Sequence, residues 1–424
     1  MAKKKDLTPE EQLQQAIVPK EEQPYPLSEG WRWVRLESIC EVIMGQSPNG
    51  VETTDDSSYM PLIGGAADMG ELYLQPHQYT KKPTKISKAD DLILCIRATL
   101  GHPNFADGEY CLGRGVAAIR SNLCSKEFLR YMFLNFEQYL YDNATGSTFL
   151  SIGSSVLKSM PVPFPPQTEQ IQIVEKINSY YQRLDEASKL IQHVLNLSEQ
   201  RKAAILHKAF TGELTAKWRQ ERQITLNSWK DKKISEVCDI VRGGSPRPAG
   251  SPEFYGGNIP FMKVADITRN ASPFVTATES FIKEAGLKRT RVVEENTLLL
   301  TNSGATLGVP AICTFKTAFN DGIAAFLGLN PKSIKFYYYF WSSKTNELRT
   351  INKGAAQPNL NTKIIGNIMH KVPTIEEQQE IVGILDNFFE KEKYIVNMTY
   401  CSLQDIKMLK KSILEKAFRG GLSI

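Results

Sequence analysis

In this 424-residue sequence the side chains able to do chemistry gather beside glycines. Arg97 and Thr99 stand in Cys95-Ile-Arg-Ala-Thr99, and Arg114 lies between Gly113 and Gly115. Asn302 and Ser303 stand in Thr301-Asn-Ser-Gly304, and Arg242 and Arg247 flank Gly243-Gly-Ser-Pro246. A backbone freed of Cβ atoms can approach phosphates, which basic side chains neutralise, while Asn, Ser and Thr can hydrogen-bond phosphates or base edges. Further cations are Lys81, Lys82, Lys85 and Lys88 in one loop, then Lys263, Arg269, and the cluster Lys288, Arg289 and Arg291. Taken singly, each cation reads more readily as part of a solvated face than as a base reader, and each glycine loop reads equally as a structural turn. As a set on two blocks of sequence they point to nucleic acid.

Catalytic chemistry leaves no such set. The sequence has no GxxxxGK[ST] phosphate loop, GxSxG elbow or HExxH pair. It also lacks the Asn/Asp-Pro-Pro-aromatic motif that holds a target amino group in adenine and N4-cytosine methyltransferases, since Phe164-Pro-Pro has no polar residue before it. The histidines His77, His102, His193, His207 and His370 are dispersed and expected at the surface. Seven cysteines, odd in number and never spaced as CxxC, argue against disulfides and zinc and for a reducing cytoplasm. No catalytic residue, metal or cofactor is expected in the chain. The N-terminal MAKKKDLTPEEQ lacks the apolar stretch of a secretory signal, and no run approaches the eighteen apolar residues of a membrane span.

Charge gives weaker guidance. Lys plus Arg (51) exceeds Asp plus Glu (46) only slightly, so net charge does not by itself establish a polyanionic partner. Locally the balance differs: residues 31–150 carry 11 basic and 14 acidic side chains, and residues 229–358 carry 17 and 11.

The elements that must position these residues come in duplicate. Trp31, Leu36, Ile39, Cys40 and Gly45-Gln-Ser-Pro48 return 198 residues later as Trp229, Ile234, Val237, Cys238 and Gly243-Gly-Ser-Pro246. Ala98-Thr-Leu-Gly101 returns as Ala305-Thr-Leu-Gly308, and Gly115-Val-Ala-Ala as Gly322-Ile-Ala-Ala, both 207 residues on. Beyond Gly146 and Gly354 the offset stays at 208, through Glu169-Gln170 and Glu377-Gln378 to Phe210-Thr-Gly212 and Phe418-Arg-Gly420. A period near 200 is a duplicated domain with its appendage, not a solenoid of short units.

Each appendage carries a helical pattern. Val174, Ile177, Tyr181, Leu184, Ile191, Leu195 and Ile205 recur at 4-3 spacing, as do Val382, Leu385, Phe389, Val396, Leu403, Ile406 and Ile413. Prolines precede both patterns, and Gly212 and Gly420 close them. Two helices of about 45 residues, roughly 65 to 70 Å each at ~1.5 Å per residue, are expected to pack antiparallel as a coiled coil. Polar residues at Ser188, Ser198, Lys202, Glu392 and Lys410 leave open two separate helices lying on their own domains. The remaining blocks read as α+β domains: Ile93–Ile96 and Leu298–Leu300 as buried strands, Phe128–Leu140 and Phe336–Trp341 as short helices.

These motifs resemble the specificity subunits of type I restriction-modification enzymes across nearly the whole chain. Gly45-Gln-Ser-Pro48 and Gly243-Gly-Ser-Pro-Arg247 are similar to the glycine-rich signature opening each target-recognition domain. Gly354-Ala-Ala-Gln-Pro-Asn-Leu360 and Pro373-Thr-Ile-Glu-Glu-Gln-Gln resemble the signature between domain and helix; Lys208-Ala-Phe-Thr-Gly-Glu-Leu214 and Lys416-Ala-Phe-Arg-Gly-Gly-Leu422 resemble the one ending the helices. The first copy departs from the pattern at Gly146-Ser-Thr-Phe-Leu-Ser-Ile152, which lacks the Gln-Pro pair.

The resemblance implies two tandem α/β target-recognition domains separated by two long helices, with internal pseudo-twofold symmetry. It divides the chain into an N-terminal arm (1–30), domain 1 (31–165), a central helix (166–215), a linker (216–228), domain 2 (229–373) and a C-terminal helix (374–424). Each domain would read one half of a split, asymmetric site in double-stranded DNA, and neither would catalyse. Two modification subunits carrying S-adenosylmethionine, and restriction subunits using ATP and Mg, are the implied partners. Docking positions are expected on the helices at Val174, Ile177, Leu184, Ile191, Val382, Leu385, Val396 and Leu403, and the segment Leu7–Ile17 as an arm on a partner or a frayed terminus. Two rival readings stay open on the residues alone: an enzyme with a cryptic site, and an adaptor binding only proteins.

Overall fold

The computed structural model describes residues 14, 16–121, 123–269, 272–304, 306–351 and 360–422. Leu7–Leu13, Gln15, Ala305 and residues 352–359 lie outside the described residues, and with them most of the arm. The chain divides into two compact units, Met1–Ile191 with Cys401–Ile424, and Gln192–Tyr400. The boundary crosses both long helices, Gln167–Thr211 and Ile375–Phe418.

Among the described residues of the first unit, a four-stranded antiparallel sheet runs in the order Cys40–Met44, Val116–Ser121, Leu92–Arg97, Thr99–Phe105. Its third strand, LILCIR, is apolar on both faces because both are covered. Leu92, Leu94 and Ile96 pack in one core with Phe128, Leu129 and Met132 of helix Lys126–Asn135; Ile93 and Cys95 pack in another with Ile63 and Leu112. The latter two belong to a second sheet, ordered Thr53–Thr54, Gln78–Thr80, Met60–Ile63, Cys111–Leu112. Ser125 caps the helix, its Oγ accepting from the Phe128 amide at 3.2 Å.

The second unit repeats the plan. Asp239–Arg242, Ile323–Leu327, Thr297–Thr301, Pro310–Cys313 and Phe274–Val275 form one sheet, and Phe281–Ile282, Tyr255–Met262, Thr317–Phe319 and Arg291–Val293 the other. Leu298 and Leu300 face Phe336, Phe340 and Trp341, whereas Leu299 faces Met262 and Phe319. The helix there is longer than the apolar run alone indicates, Ile334–Ile351, because its second half continues on a polar face.

Both long helices begin alike. A two-stranded ladder precedes each, Arg32–Arg35 with Pro161–Phe164 and Lys230–Lys233 with Met369–Val372. The duplicated Glu-Gln pair then has a mechanical role. Glu169 accepts from the Trp31 indole at 2.7 Å and Glu377 from Trp229 at 2.8 Å, while Gln170 and Gln378 each donate to a proline carbonyl, of Pro165 and Pro373, at 3.0 Å. At the far ends Phe418 packs 5.3 Å from Phe128 and Phe210 5.5 Å from Phe336. Gly212 and Gly420 then turn out of the helix at φ +85° and +75°, conformations that glycine adopts without strain.

The helices are antiparallel partners within each unit. In the first, Tyr181 donates to the Lys410 carbonyl at 3.1 Å and Ile173 and Ile177 share a core with Leu414 and Phe418. In the second, Ser198 and Arg201 meet Glu392, and Leu206 and Ala209 share a core with Ile381 and Leu385. Three of the polar seam residues, Ser198, Glu392 and Lys410, find partners across the pair, Lys410 Nζ donating to Asp185, while Lys202 donates to Glu199 of its own helix at 2.8 Å. Glu392, buried, accepts from Ser198 Oγ at 2.9 Å and from Arg201 Nε and Nη2 at 2.7 and 3.0 Å, and Arg201 holds its carboxyl below the usual carboxylate range.

That packing corrects two expected docking positions. Ile177 and Leu385 are fully buried and cannot meet a partner subunit. Val174, Leu184, Ile191, Val382, Val396 and Leu403 are half-buried, and the apolar side chains that stand open on the helices are others, among them Leu190, Met408 and Leu409 in the first unit and Tyr394, Met398 and Tyr400 in the second. A third correction concerns His370, which is buried. Its Nδ1–H donates to the Lys232 carbonyl at 2.9 Å, so Nε2 accepts from Tyr337 Oη at 3.1 Å, and burial lowers its pKa to about 4. The alternating strand Met369–Val372 turns this side chain inward.

Candidate nucleic-acid interface

One tight turn organises the candidate residues of each unit. In the second unit it is Asn320-Asp321-Gly322, between strands Thr317–Phe319 and Ile323–Leu327. The Gly243 amide donates to the Ile323 carbonyl at 3.0 Å and the Gly244 amide to the Phe319 carbonyl at 3.1 Å, laying the glycine-rich loop against the turn. A Cβ on Gly243 would come within 2.3 Å of the Asn320 carbonyl oxygen, and one on Gly244 equally close to that of Arg289, so both positions require glycine. Met262 and Asn302 are tied to the same turn, through Asn320 N–H to the Met262 carbonyl at 3.0 Å and Asn302 N–H to the Gly322 carbonyl at 2.9 Å.

The first unit builds the same arrangement on Gly113-Arg114-Gly115. Gly45 donates to Val116 at 3.0 Å, Gln46 to Leu112 at 2.8 Å, Gly113 to Ile63 at 2.8 Å and Ile96 to Gly115 at 2.9 Å. These four bonds match the four above one for one. They fix the residue correspondence: Arg114 stands where Asp321 stands, Ile96 where Asn302 stands, and Arg97 where Ser303 stands.

That correspondence overturns one expectation. Asn302 is fully buried in the slot that Ile96 fills in the other copy, so its amide cannot reach a base edge or a phosphate. Both its side-chain polar atoms lack a hydrogen-bond partner among the described residues. Ser303, half-buried, remains at the turn, its Oγ 3.0 Å from where a Gly322 Cβ would lie.

Several cations gather round the turn. Arg242, half-buried, donates through Nε to the Asp321 carbonyl at 2.6 Å, and Arg247 is exposed at the end of the glycine loop. Lys263 is exposed next to Met262, and Arg289, exposed, lies 5.1 Å from the Phe254 ring, its carbonyl against Gly244. Lys288 and Arg291 flank it and are exposed. Arg269 is engaged elsewhere, with Glu279 at 3.7 Å. In the first unit Arg114 and Arg97 are exposed, Thr99 is half-buried, and the exposed Lys85 is drawn in by its carbonyl, which accepts from Leu112 at 2.7 Å. Lys82 is paired with Glu52 at 2.8 Å, and Lys81 lies 5.6 Å from the Tyr59 ring.

Sequence reading missed Asp321, Ser47 and Ser245 as parts of the site. The signal was present, because aligning Gly113-Arg-Gly115 with Asn320-Asp-Gly322 at 207 residues sets Asp321 opposite an arginine already singled out. No three His, Cys, Asp or Glu side chains among the described residues gather in a group able to hold a metal, and no described helix is long and apolar enough to cross a membrane.

Comparison with known proteins agrees with the duplication. The model of the type I restriction modification DNA specificity domain matches twice, at residues 28–196 and 227–397. The EcoKI specificity subunit of Escherichia coli K12 is 23% identical over 94% of this chain and 90% of its own. The putative MjaX specificity subunit of Methanocaldococcus jannaschii is 29% identical over 198 residues, 45% of each chain. This chain thus spans under half of that relative's length but nearly all of the former's. In fold, it matches a chain from a structural study of complex assembly and conformational transition in a type I R-M system, with TM-score 0.72 at 20% identity over 94% of this chain and 100% of that one. It also matches the HsdS subunit of Thermoanaerobacter tengcongensis, with TM-score 0.62 at 22% identity over 95% and 100%. With two copies of that domain covering most of its length, and relatives named as specificity subunits rather than catalytic ones, the chain belongs to the noncatalytic specificity-subunit family of type I restriction-modification enzymes.

Proposed function

We propose that the chain selects the DNA sequence on which a type I restriction-modification complex acts, each recognition domain reading one half of a bipartite, asymmetric site. The observation carrying this reading is the matched pair of glycine-bound turns, each rimmed by arginines and lysines. Lys85, Arg97 and Arg114 in domain 1, and Arg242, Arg247, Lys263, Lys288, Arg289, Arg291 and Ser303 in domain 2, are the contacts we assign to DNA. Lys81, Lys82, Thr99 and Arg269 join them at the margins, contributing phosphate contacts that fix register and carry no sequence information.

The long helices serve as a spacer between the two readings. Their open apolar side chains, with the half-buried seam residues Val174, Leu184, Ile191, Val382, Val396 and Leu403 beside them, dock two identical modification subunits on duplicated surfaces. Those subunits bring S-adenosylmethionine; restriction subunits, with ATP and Mg, complete a cytoplasmic complex. The domain limits 31–165 and 229–373, with helical regions 166–215 and 374–424 and linker 216–228, are the units we assign to these tasks.

Methylome sequencing of a host expressing this chain with its modification subunit tests the reading. A split motif of two defined halves is expected. An unsplit motif, or none, overturns it.

A further inference from the structure

The two matched turns differ at one residue in a way that bears on which bases are read, and the inference rests on the function proposed above. Arg114 and Asp321 occupy the same position, each locked to the serine of its own glycine loop. The Arg114 amide and Nε donate to Ser47 Oγ at 3.1 and 3.3 Å. Ser245 Oγ donates to Asp321 Oδ1 at 2.6 Å. The tether keeps its geometry while the charge at its end is reversed.

Each tether leaves the outward half of the side chain unused. The Arg114 Nη groups have no partner among the described residues, and the residue is exposed. Asp321 is half-exposed, its Oδ2 accepts no described hydrogen bond, and no described cation lies within 4.0 Å of its carboxylate. Arg242 binds its backbone carbonyl instead. An unneutralised carboxylate among Arg242, Arg247 and Arg289 works against a phosphate backbone, which needs cations there. It suits an amino group on a base edge.

We propose that Arg114 and Asp321 are specificity-determining residues at equivalent places in the two domains, Arg114 donating to guanine N7 and O6 and Asp321 accepting from the N4 amino group of cytosine. A guanidinium fork matches the paired acceptors of guanine, and a carboxylate matches the donor of cytosine. Adenine suits Asp321 less well, since its N7 acceptor lies beside its amino group.

The test uses the full chain with its modification subunit in a methylation-free host, and reads the motif by methylome sequencing. Arg114→Ala is expected to relax one guanine position in one half, and Asp321→Asn one cytosine position in the other, each losing about 5- to 150-fold discrimination against the wrong base. Asp321→Glu keeps the acceptor and is expected to keep the cytosine. Ser245→Ala removes the tether but not the carboxylate, so overall methylation should fall with the cytosine requirement intact. An Arg114→Ala or Asp321→Asn motif identical to wild type overturns the assignment, as does uniform weakening at every position by either of these two variants in a complex that melts like wild type. Should Asp321→Asn fold poorly, the exposed Arg114→Ala decides the case. A wild-type chain giving no split motif defeats the functional reading itself, whereas a split wild-type motif untouched by the variants defeats only this inference.

Discussion

Individual residues show how far two similar copies diverge inside one framework. The Glu-Gln pair at each helix start is the same device twice, yet only Glu377 is fully buried, where Arg219 Nη1 and Thr215 Oγ1 supply its further partners at 2.5 and 2.7 Å. Removing Arg219 leaves a buried carboxylate without its counter-charge, which costs about 3 to 5 kcal/mol. Chemical denaturation should therefore show Arg219→Ala strongly destabilised. A loss under about 1 kcal/mol would mean the carboxylate is solvated after all. His370 makes a pH prediction. Its pKa in the fold, about 4, lies below the 6.5 of the open chain, so the unfolded state takes up the proton first. Its contribution is whole above about pH 6.5 and is lost as pH falls toward 4, on the order of 3 kcal/mol across that window. Urea melts of wild type and His370→Gln at several pH values check it: the slope should flatten in the variant. Burial dominates the shift: the hydrogen bond to the Lys232 carbonyl and the charge of Glu236 oppose it, and the charge of Lys232 adds to it, while Tyr337 is the neutral partner of Nε2.

At the scale of elements, helices were far more legible in the sequence than the site. A strand such as Leu92–Arg97 announces itself as an apolar run, and the two long helices through their 4-3 spacing, because periodicity is a local property. Which seam residue ends up sealed was not local. Ile177 and Leu385 read like their neighbours and differ only through what the other helix and the domain lay upon them. The terminal phenylalanines are similar: the Lys-Ala-Phe signature anchors a helix to a domain by ring packing. Phe418→Ala should cost about 3 to 5 kcal/mol in equilibrium unfolding, as a fully buried ring leaves a cavity, and half-buried Phe210 should cost less. The helix also acts as a ruler in the proposed function. Four residues inserted within the helix, just ahead of Thr211, add ~6 Å of helix, against ~3.4 Å per base pair, and should widen the nonspecific spacer by one or two pairs. Methylation mapping that returns the original spacer would show that this helix does not set it.

For the whole molecule, the mild excess of basic residues divides unevenly, with 31–150 slightly acidic and 229–358 basic. If the blocks read separately, exchanging residues 229–358 for those of a relative should change one half of the methylated motif and leave the other intact. Alteration of both halves would refute independent reading. Sequence alone determined that the chain is two copies of one plan, where its helices run, and which motifs recur, since duplication and periodicity are written in order and spacing. It also carried the opposition of Arg114 and Asp321, but without rank among many charged residues. Only the tertiary structure decided which groups meet. The Asn320–Gly322 turn is held by segments far apart in the chain, and the same contacts that gather Arg242, Ser245 and Asp321 there leave Asn302 fully buried, as packing elsewhere puts His370 under a tyrosine. Burial and partnership are properties of what folds over a residue, and neighbours in sequence do not specify them.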